Sequence, residues 1–299
     1  MKIHVVTHGS WICSFIAQRT INNCTIPDIE FSLGSSLDRN ANINYYVDQQ
    51  VFEVENKVNN LCQITYYSHA HESSKTWLVN KFNEINGWAL NGIVSMNKRY
   101  TDMLIEVGYD QSRITTLVPG ETKDNFPLKK TKIGIVSRGG YPGYGQQFLE
   151  HFFATYNHQL SNFKFKFLGN GWDNIRNVAN HYNVDVELLP DTDYSIYPSF
   201  YDSIDYQLIP GLWTAGPMSM QEALASGVPI IGADVGFVNY EFKADYVFPP
   251  GDGNTLFQIL KKIEEPKIER RNQVKDMTWT KYSNDVINFC LDIYKRDYR

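Results

Sequence analysis

The sequence has no closely paired cysteines. Cys13, Cys24, Cys62 and Cys290 lie far apart with no C-x-x-C spacing, which argues against a disulfide framework and a zinc site. Reduced thiols in a cytoplasmic protein are the expectation. Long apolar runs are missing too. Nothing approaches the roughly 18 consecutive apolar residues of a membrane span, and the opening MKIHVVTHGSWIC lacks the apolar stretch of a secretion signal. A basic excess is absent: 28 Lys and Arg stand against 33 Asp and Glu, for a formal net charge of −5. That balance argues against a general nucleic-acid binder, so no nucleic-acid partner is expected. It leaves room for a small anionic ligand held by a few amides and one arginine. Short repeats and low-complexity tracts are lacking. The first glycine turn reads THGSWIC rather than G-x-G-x-x-G, which argues against a dinucleotide dehydrogenase.

The chain does have enough length and apolar content for two domains: 299 residues, 42% hydrophobic and 20% charged. It is rich in aromatics, with 19 Tyr among them. Their faces can stack on sugars or bases, although half-buried packing is the ordinary use of most. Strand-like segments at 2–9, ending in a glycine turn, and at 43–47, 62–68 and 92–96 alternate with helical stretches such as 73–85 and 97–108. The segment 116–132 then loses periodicity, with two prolines and four lysines, and reads as a linker. A second alternation follows, with strands at 132–137, 163–171 with a glycine turn, 184–190, within 201–211 and at 228–234, and helices at 146–160 and 173–182. Strands alternating with helices predict parallel sheets covered on both faces. Two doubly wound units in tandem would leave a cleft between them, and ligands of such sheets sit outside the carboxyl ends of the strands. An amphipathic helix, 279–296, closes the chain. The charge run KKIEEPKIERR reads as a solvated helix and loop.

The most organised stretch is GPMSMQEALASGVPIIGADVG, Gly216 to Gly236. A turn at Gly216 and a helix starting near Pro217 would present unpaired amides and the positive end of the helix dipole to an anion. Glu222, about a turn and a half further on, can accept from two neighbouring ribose hydroxyls. A surface helix with a solvated glutamate, followed by a core strand, fits the residues equally well.

QEALASGVPIIGADVG resembles the second half of the signature of the retaining glycosyltransferases of family 4, the group 1 glycosyltransferases of GT-B fold. Other landmarks of that family follow in order. The run from 94 to 126 is similar to the stretch at its domain boundary, IGIVSRGGYPGYGQQFLEHF to its strand-turn-helix carrying G-R and K-G, FLGNGWDNI to its V-G-x-G-P, and YVFPPGDGNTLFQIL to its late P-P-G-D. The C-terminal half is covered almost continuously, the first hundred residues only in layout.

The resemblance implies an α/β GT-B chain of two Rossmann-like doubly wound domains facing a cleft. An acceptor-side domain would span 1–125, a nucleotide-sugar domain 126–280, and a C-terminal helix, 281–299, would pack back on the first. It implies transfer of a sugar from a nucleotide-diphosphate sugar to an acceptor hydroxyl on a carbohydrate or lipid-linked glycan. Contact with a membrane surface stays open. No metal and no cofactor are implied. Glu222 would hold the ribose, Arg138 would neutralise the diphosphate, and the amides around Pro217 to Ser219, those of Met218 and Ser219 with Gly216 in the turn before them, would cradle the distal phosphate. Gly9 and Gly169 would let the backbone approach the donor closely.

Two positions depart from the family pattern. Its first glutamate falls on Thr214, which keeps a hydrogen bond and loses the charge. Its lysine falls on Tyr144, whose hydroxyl can donate to phosphate but brings no positive charge. The cluster YYSHAHES supplies the remaining candidate. His69 and His71 alternate at the end of a strand, and His71 is favoured as the catalytic histidine near the sugar. A zinc site at H-A-H-E would need further ligands that the spacing does not offer. Two other readings stand beside transfer: a non-catalytic nucleotide-sugar or glycan-binding protein, and a nucleotide-sugar epimerase of the same fold.

Overall fold

The computed structural model describes residues 1–8, 11–47, 58, 60–67, 90–120, 126–190, 193–213, 217–236 and 238–299. The chain forms two compact units, Met1–Phe126 with Gln273–Arg299, and Pro127–Asn272. Each is a parallel sheet with flanking helices, the α/β class expected from the alternation.

In the first unit, strands β1 (Lys2–Val6), β2 (Glu30–Gly34), β3 (Ile43–Tyr46), β4 (Cys62–Tyr67), β5 (Gly92–Ser95) and β6 (Ile114–Thr116) form one sheet in the order β2-β1-β3-β4-β5-β6. The inner strands β1, β3 and β5 are buried nearly throughout, as a sheet covered on both faces requires. The edge strands β2 and β6 are half exposed, so neither carries an apolar run that would mark it in the sequence. Strand β6 falls at the start of the stretch read as a linker. Helix α1 (Trp11–Asn22) packs against the closing helix of the chain, α8 (Trp279–Tyr298). Helix α2 (Lys98–Glu106) is capped by Asn97, whose side chain accepts from the Tyr100 amide.

Helix α8 belongs wholly to this first unit. Its Val286, Ile287, Cys290 and Ile293 are buried in the same core as Ile3, Val5 and Ile64. Its end is tied by Arg113, which makes a two-armed contact with Asp297 at 2.8 and 3.0 Å, while Asn91 donates to the same carboxylate at 2.8 Å.

In the second unit, strands β7 (Thr131–Val136), β8 (Phe163–Leu168), β9 (Val186–Leu189), β10 (Tyr206–Ile209), β11 (Ile230–Ala233) and β12 (Tyr246–Phe248) run in the order β12-β11-β10-β7-β8-β9. The chain winds outward from β7 to one edge, returns to β10 beside β7 and winds to the other, so the order reverses between β7 and β10. Helices α3 (Gln146–Tyr156), α4 (Asp173–Tyr182), α5 (Tyr197–Asp202), α6 (Met218–Ala225) and α7 (Gly253–Asn272) complete the unit. Phenylalanines from α3 and β8 dominate one face of the core: Phe148, Phe152, Phe153, Phe163, Phe165 and Phe167. Helix α7 runs through Pro266 rather than ending in a loop. Its second half is held by Glu264, which accepts from Asn162, and by Lys267, which donates to the Thr131 hydroxyl at 2.7 Å.

Candidate functional site

The reversal between β7 and β10 places the carboxyl ends of two adjacent parallel strands side by side at the point where the order switches, the usual ligand position of such sheets. A cavity of about 440 Å³ opens there. Val136, Ser137 and Arg138 enter it from the end of β7, Leu168 and Gly169 from β8, and Ile209 to Gly211 from β10. Its volume lies in the range of small-ligand sites, about 300 to 1,000 Å³.

Backbone packed directly on backbone makes up part of the wall. Gly169 has φ +130°, and a Cβ there would stand 2.1 Å from the Ser137 carbonyl oxygen. A Cβ on Gly139 would stand 2.2 Å from the Gly171 carbonyl oxygen. These glycines allow the loops after β7 and β8 to touch, and the contact is sealed by the Gly139 amide donating to Asn170 O at 2.8 Å and the Trp172 indole donating to Ser137 O at 2.9 Å. The Ser137 hydroxyl is buried without a hydrogen-bond partner.

Helix α6 contributes the opposite side. It begins at Met218, with Pro217 in the cap position at φ −78° and ψ 120°, one residue later than expected from the sequence. A proline cap offers no side chain to the first amides, and those of Met218 and Ser219 find no acceptor among the described residues. The cap of this helix is therefore open to an anion. Glu222 lies further along it and is half-buried, its carboxylate held from both sides. The Tyr194 hydroxyl donates to Oε1 at 2.9 Å and the Tyr201 hydroxyl to Oε2 at 2.7 Å. The same Tyr201 hydroxyl lies 3.2 Å from the Ser219 carbonyl oxygen. Burial, and after it the bond to Glu222, pushes the Tyr201 phenol well above its ordinary pKa. Tyr194 is raised by its bond to Glu222.

Among the described residues Arg138 is the one basic side chain lining the cavity and Glu222 the one acidic. Arg138 is exposed and has no ion-pair partner among the described residues. Tyr144 lines the same cavity, its ring stacked on Tyr141 at 5.0 Å. Among the described residues, the positive charge at the cavity is thus one guanidinium and one helix end.

Seven residues named from the sequence, Arg138, Tyr144, Gly169, Pro217, Met218, Ser219 and Glu222, lie round this single cavity. Gly9, His71, Thr214 and Gly216 lie outside the described residues. Sequence reasoning passed over Ser137 and the tyrosines 194, 197 and 201. A signal for the tyrosines was present: they recur at intervals of three and four, one face of a helical stretch. The short turn Tyr194–Ile196 and helix α5 carry them, with the rings of Tyr194 and Tyr197 tilted against one another, centroids 4.6 Å apart. Among the described residues no group of His, Cys, Asp and Glu could hold a metal ion, and no helix is long and apolar enough to cross a membrane.

No curated protein matches the sequence at a significant level. Among solved structures, the chain is similar to the apo form of the lipopolysaccharide outer core galactosyltransferase WaaB. The TM-score is 0.40 and the identity 10%, covering 98% of this chain and 99% of that one. It is similar also to HepE of Anabaena in complex with UDP, with TM-score 0.40 and 10% identity over 99% and 97% of the two chains. Residues 130–265, a span that takes in every residue lining the cavity, match the family model described as glycosyl transferases group 1.

Proposed function

We propose that the chain is a glycosyltransferase whose second unit binds a nucleotide-diphosphate sugar in the cavity at the ends of β7, β8 and β10. The observation that carries this reading is the pairing, on helix α6, of an open amide end with a half-buried carboxylate turned into the same cavity. A phosphate suits the first and a ribose suits the second. The match of residues 130–265 to the group 1 glycosyltransferase family supports it independently.

In this reading the bond between the anomeric carbon and the diphosphate oxygen breaks, and a bond to an acceptor hydroxyl oxygen forms. Negative charge grows on the departing diphosphate. Arg138 and the amides of Met218 and Ser219 face that charge and stabilise it more in the transition state than in the bound donor. They supply the positive field that a metal ion supplies elsewhere, so metal-independent transfer is part of the proposal. Retention follows from attack on the face the diphosphate leaves, where its oxygen takes the acceptor proton. His71 is assigned to the sugar and Gly9 to close approach of the donor, and Thr214 with Gly216 to the sugar and distal phosphate. The acceptor is a carbohydrate or a lipid-linked glycan, and the site of action the cytoplasm.

A second reading, nucleotide-sugar binding without turnover, is favoured by one observation. Tyr144 leaves Arg138 as the sole cationic side chain of the cavity among the described residues. A thermal-shift and calorimetric screen of UDP-, GDP-, ADP- and dTDP-sugars, followed by product analysis with and without acceptor, tests both. Saturable binding with acceptor-dependent release of nucleoside diphosphate supports transfer. Binding without release supports the second reading, and no binding by any donor rejects both.

A further inference from the structure

The hydrogen bonds on Glu222 carry more than the carboxylate's presence. A carboxylate offers about four acceptor sites, two on each oxygen. Tyr194 occupies one on Oε1 and Tyr201 one on Oε2. Among the described residues no other donor reaches the carboxylate, which leaves one site on each oxygen. The two donors come from different elements, the turn Tyr194–Ile196 and helix α5, so together they fix both the position of the carboxylate and its rotation.

Tyr201 also reaches the Ser219 carbonyl oxygen, one turn before Glu222 on α6. Its ring is buried, 2% exposed, so the hydroxyl is a rigid point and not a swinging one. Tyr194 is exposed, but its ring lies on Tyr197, and Asp193 caps the turn beneath it by accepting from the Ser195 amide at 3.0 Å.

We propose that Tyr201 and Tyr194 are positioning residues that make Glu222 a reader of a vicinal diol, so that the site selects ribonucleotides over 2′-deoxyribonucleotides. This rests on the nucleotide-sugar reading of the cavity and deepens it. A held carboxylate with one open site per oxygen matches two adjacent hydroxyls, one on each oxygen. A freely rotating carboxylate accepts a single hydroxyl nearly as well as a pair. Losing one hydroxyl from a matched diol forfeits a hydrogen bond to a charged acceptor, a factor of about tenfold or more in affinity.

The test is calorimetry of UDP, GDP and ADP, each against its 2′-deoxy counterpart, on the full chain and on Tyr201→Phe, Tyr194→Phe and Glu222→Gln. The wild type is expected to favour the ribo form by about tenfold or more. Tyr201→Phe is expected to weaken the ribo form about three- to tenfold and to leave the deoxy form nearly unchanged, narrowing the ratio. Tyr194→Phe, at an exposed ring, is expected to do the same to a smaller degree and keeps the test open if Tyr201→Phe fails to fold. An unchanged ratio in the folded tyrosine variants, with the ratio lost in Glu222→Gln, overturns the proposal and leaves the nucleotide reading standing. A wild-type ratio near one also overturns it. Absence of binding by all six nucleotides overturns both.

Discussion

Gly169 and Ser137 are packed so closely that a single added carbon on the first would lie 2.1 Å from the carbonyl oxygen of the second. The contact joins the loops after β7 and β8 at the floor of the cavity. Gly169→Ala must therefore move one strand end or abandon its left-handed backbone angle, at about 1–3 kcal/mol for the backbone conformation alone. The expected outcome is a lowered melting temperature together with weakened nucleotide binding. Differential scanning calorimetry and titration of the same variant check it. A variant with wild-type stability and affinity refutes this account of the wall.

Arg138→Ala and Glu222→Ala are each expected to weaken donor binding or turnover at least about tenfold, or roughly 1.4 kcal/mol. Arg138 is exposed and free of ion pairs among the described residues, so its removal should leave the melting temperature nearly unchanged. Unchanged nucleotide affinity and rate in both variants would remove these residues from the donor site.

Chelation addresses the charge balance of the cavity. On the proposed reading, in which one guanidinium and one helix end among the described residues face the leaving diphosphate, turnover is expected to survive dialysis against EDTA without loss. Restoration of a lost rate by added magnesium or manganese would place a metal in the reaction.

The cysteines should differ sharply in reactivity. Cys13, Cys62 and Cys290 are buried and Cys24 is partly accessible. Burial pushes the Cys62 thiol up to about 12, and it pushes Cys290 well above its ordinary value. The thiolate is the reacting species, so these two are silent near neutral pH. In the native protein a thiol-disulfide reagent should modify Cys24 first, with the other three reacting only after denaturation. Mass spectrometry of the labelled chain gives the order.

Acid should loosen the end of helix α8. Burial works to raise the Asp297 carboxyl, but hydrogen bonds from Arg113 and Asn91, with the charge of Arg113, outweigh it and hold its pKa below the ordinary 3.8. A carboxyl titrating lower in the folded state contributes stability that is complete above its unfolded value and is lost as pH falls through the folded one. Asp297→Asn is expected to cost about 1 to 2 kcal/mol at neutral pH, since the pair is only partly buried. The difference between variant and wild type should begin to shrink below the unfolded value near pH 4 and close only as the pH falls through the lower folded value, where the wild-type carboxyl takes up its proton. Urea unfolding at both pH values measures it.

The α/β alternation was legible because buried parallel strands are apolar along their whole length. KIHVV, KIGIV and FKFKFL declare themselves in this way, or nearly so. Strands β2 and β6 did not, because an edge strand covered on one side only need not be apolar, and theirs are half exposed. Helix α7 was read too short because proline usually ends a helix. Here Glu264 and Lys267 make bonds to Asn162 and Thr131 on either side of it.

At the cavity, the sequence by itself determined residue types and local geometry: a glycine where a left-handed turn is needed, a proline where a helix begins, a glutamate on one helical face. Those properties depend on neighbours along the chain, and pattern carries them. Only the tertiary structure decided that Tyr194 and Tyr201 close on Glu222, and that the loops bearing Gly139 and Gly171 touch. These partners are 21 to 32 residues apart in the chain. The glycine loops meet because they follow β7 and β8, which pair side by side, and the tyrosines reach Glu222 because α5 and α6 precede and follow β10; strand pairing and helix placement are set by the packing of the whole unit rather than by any segment of it.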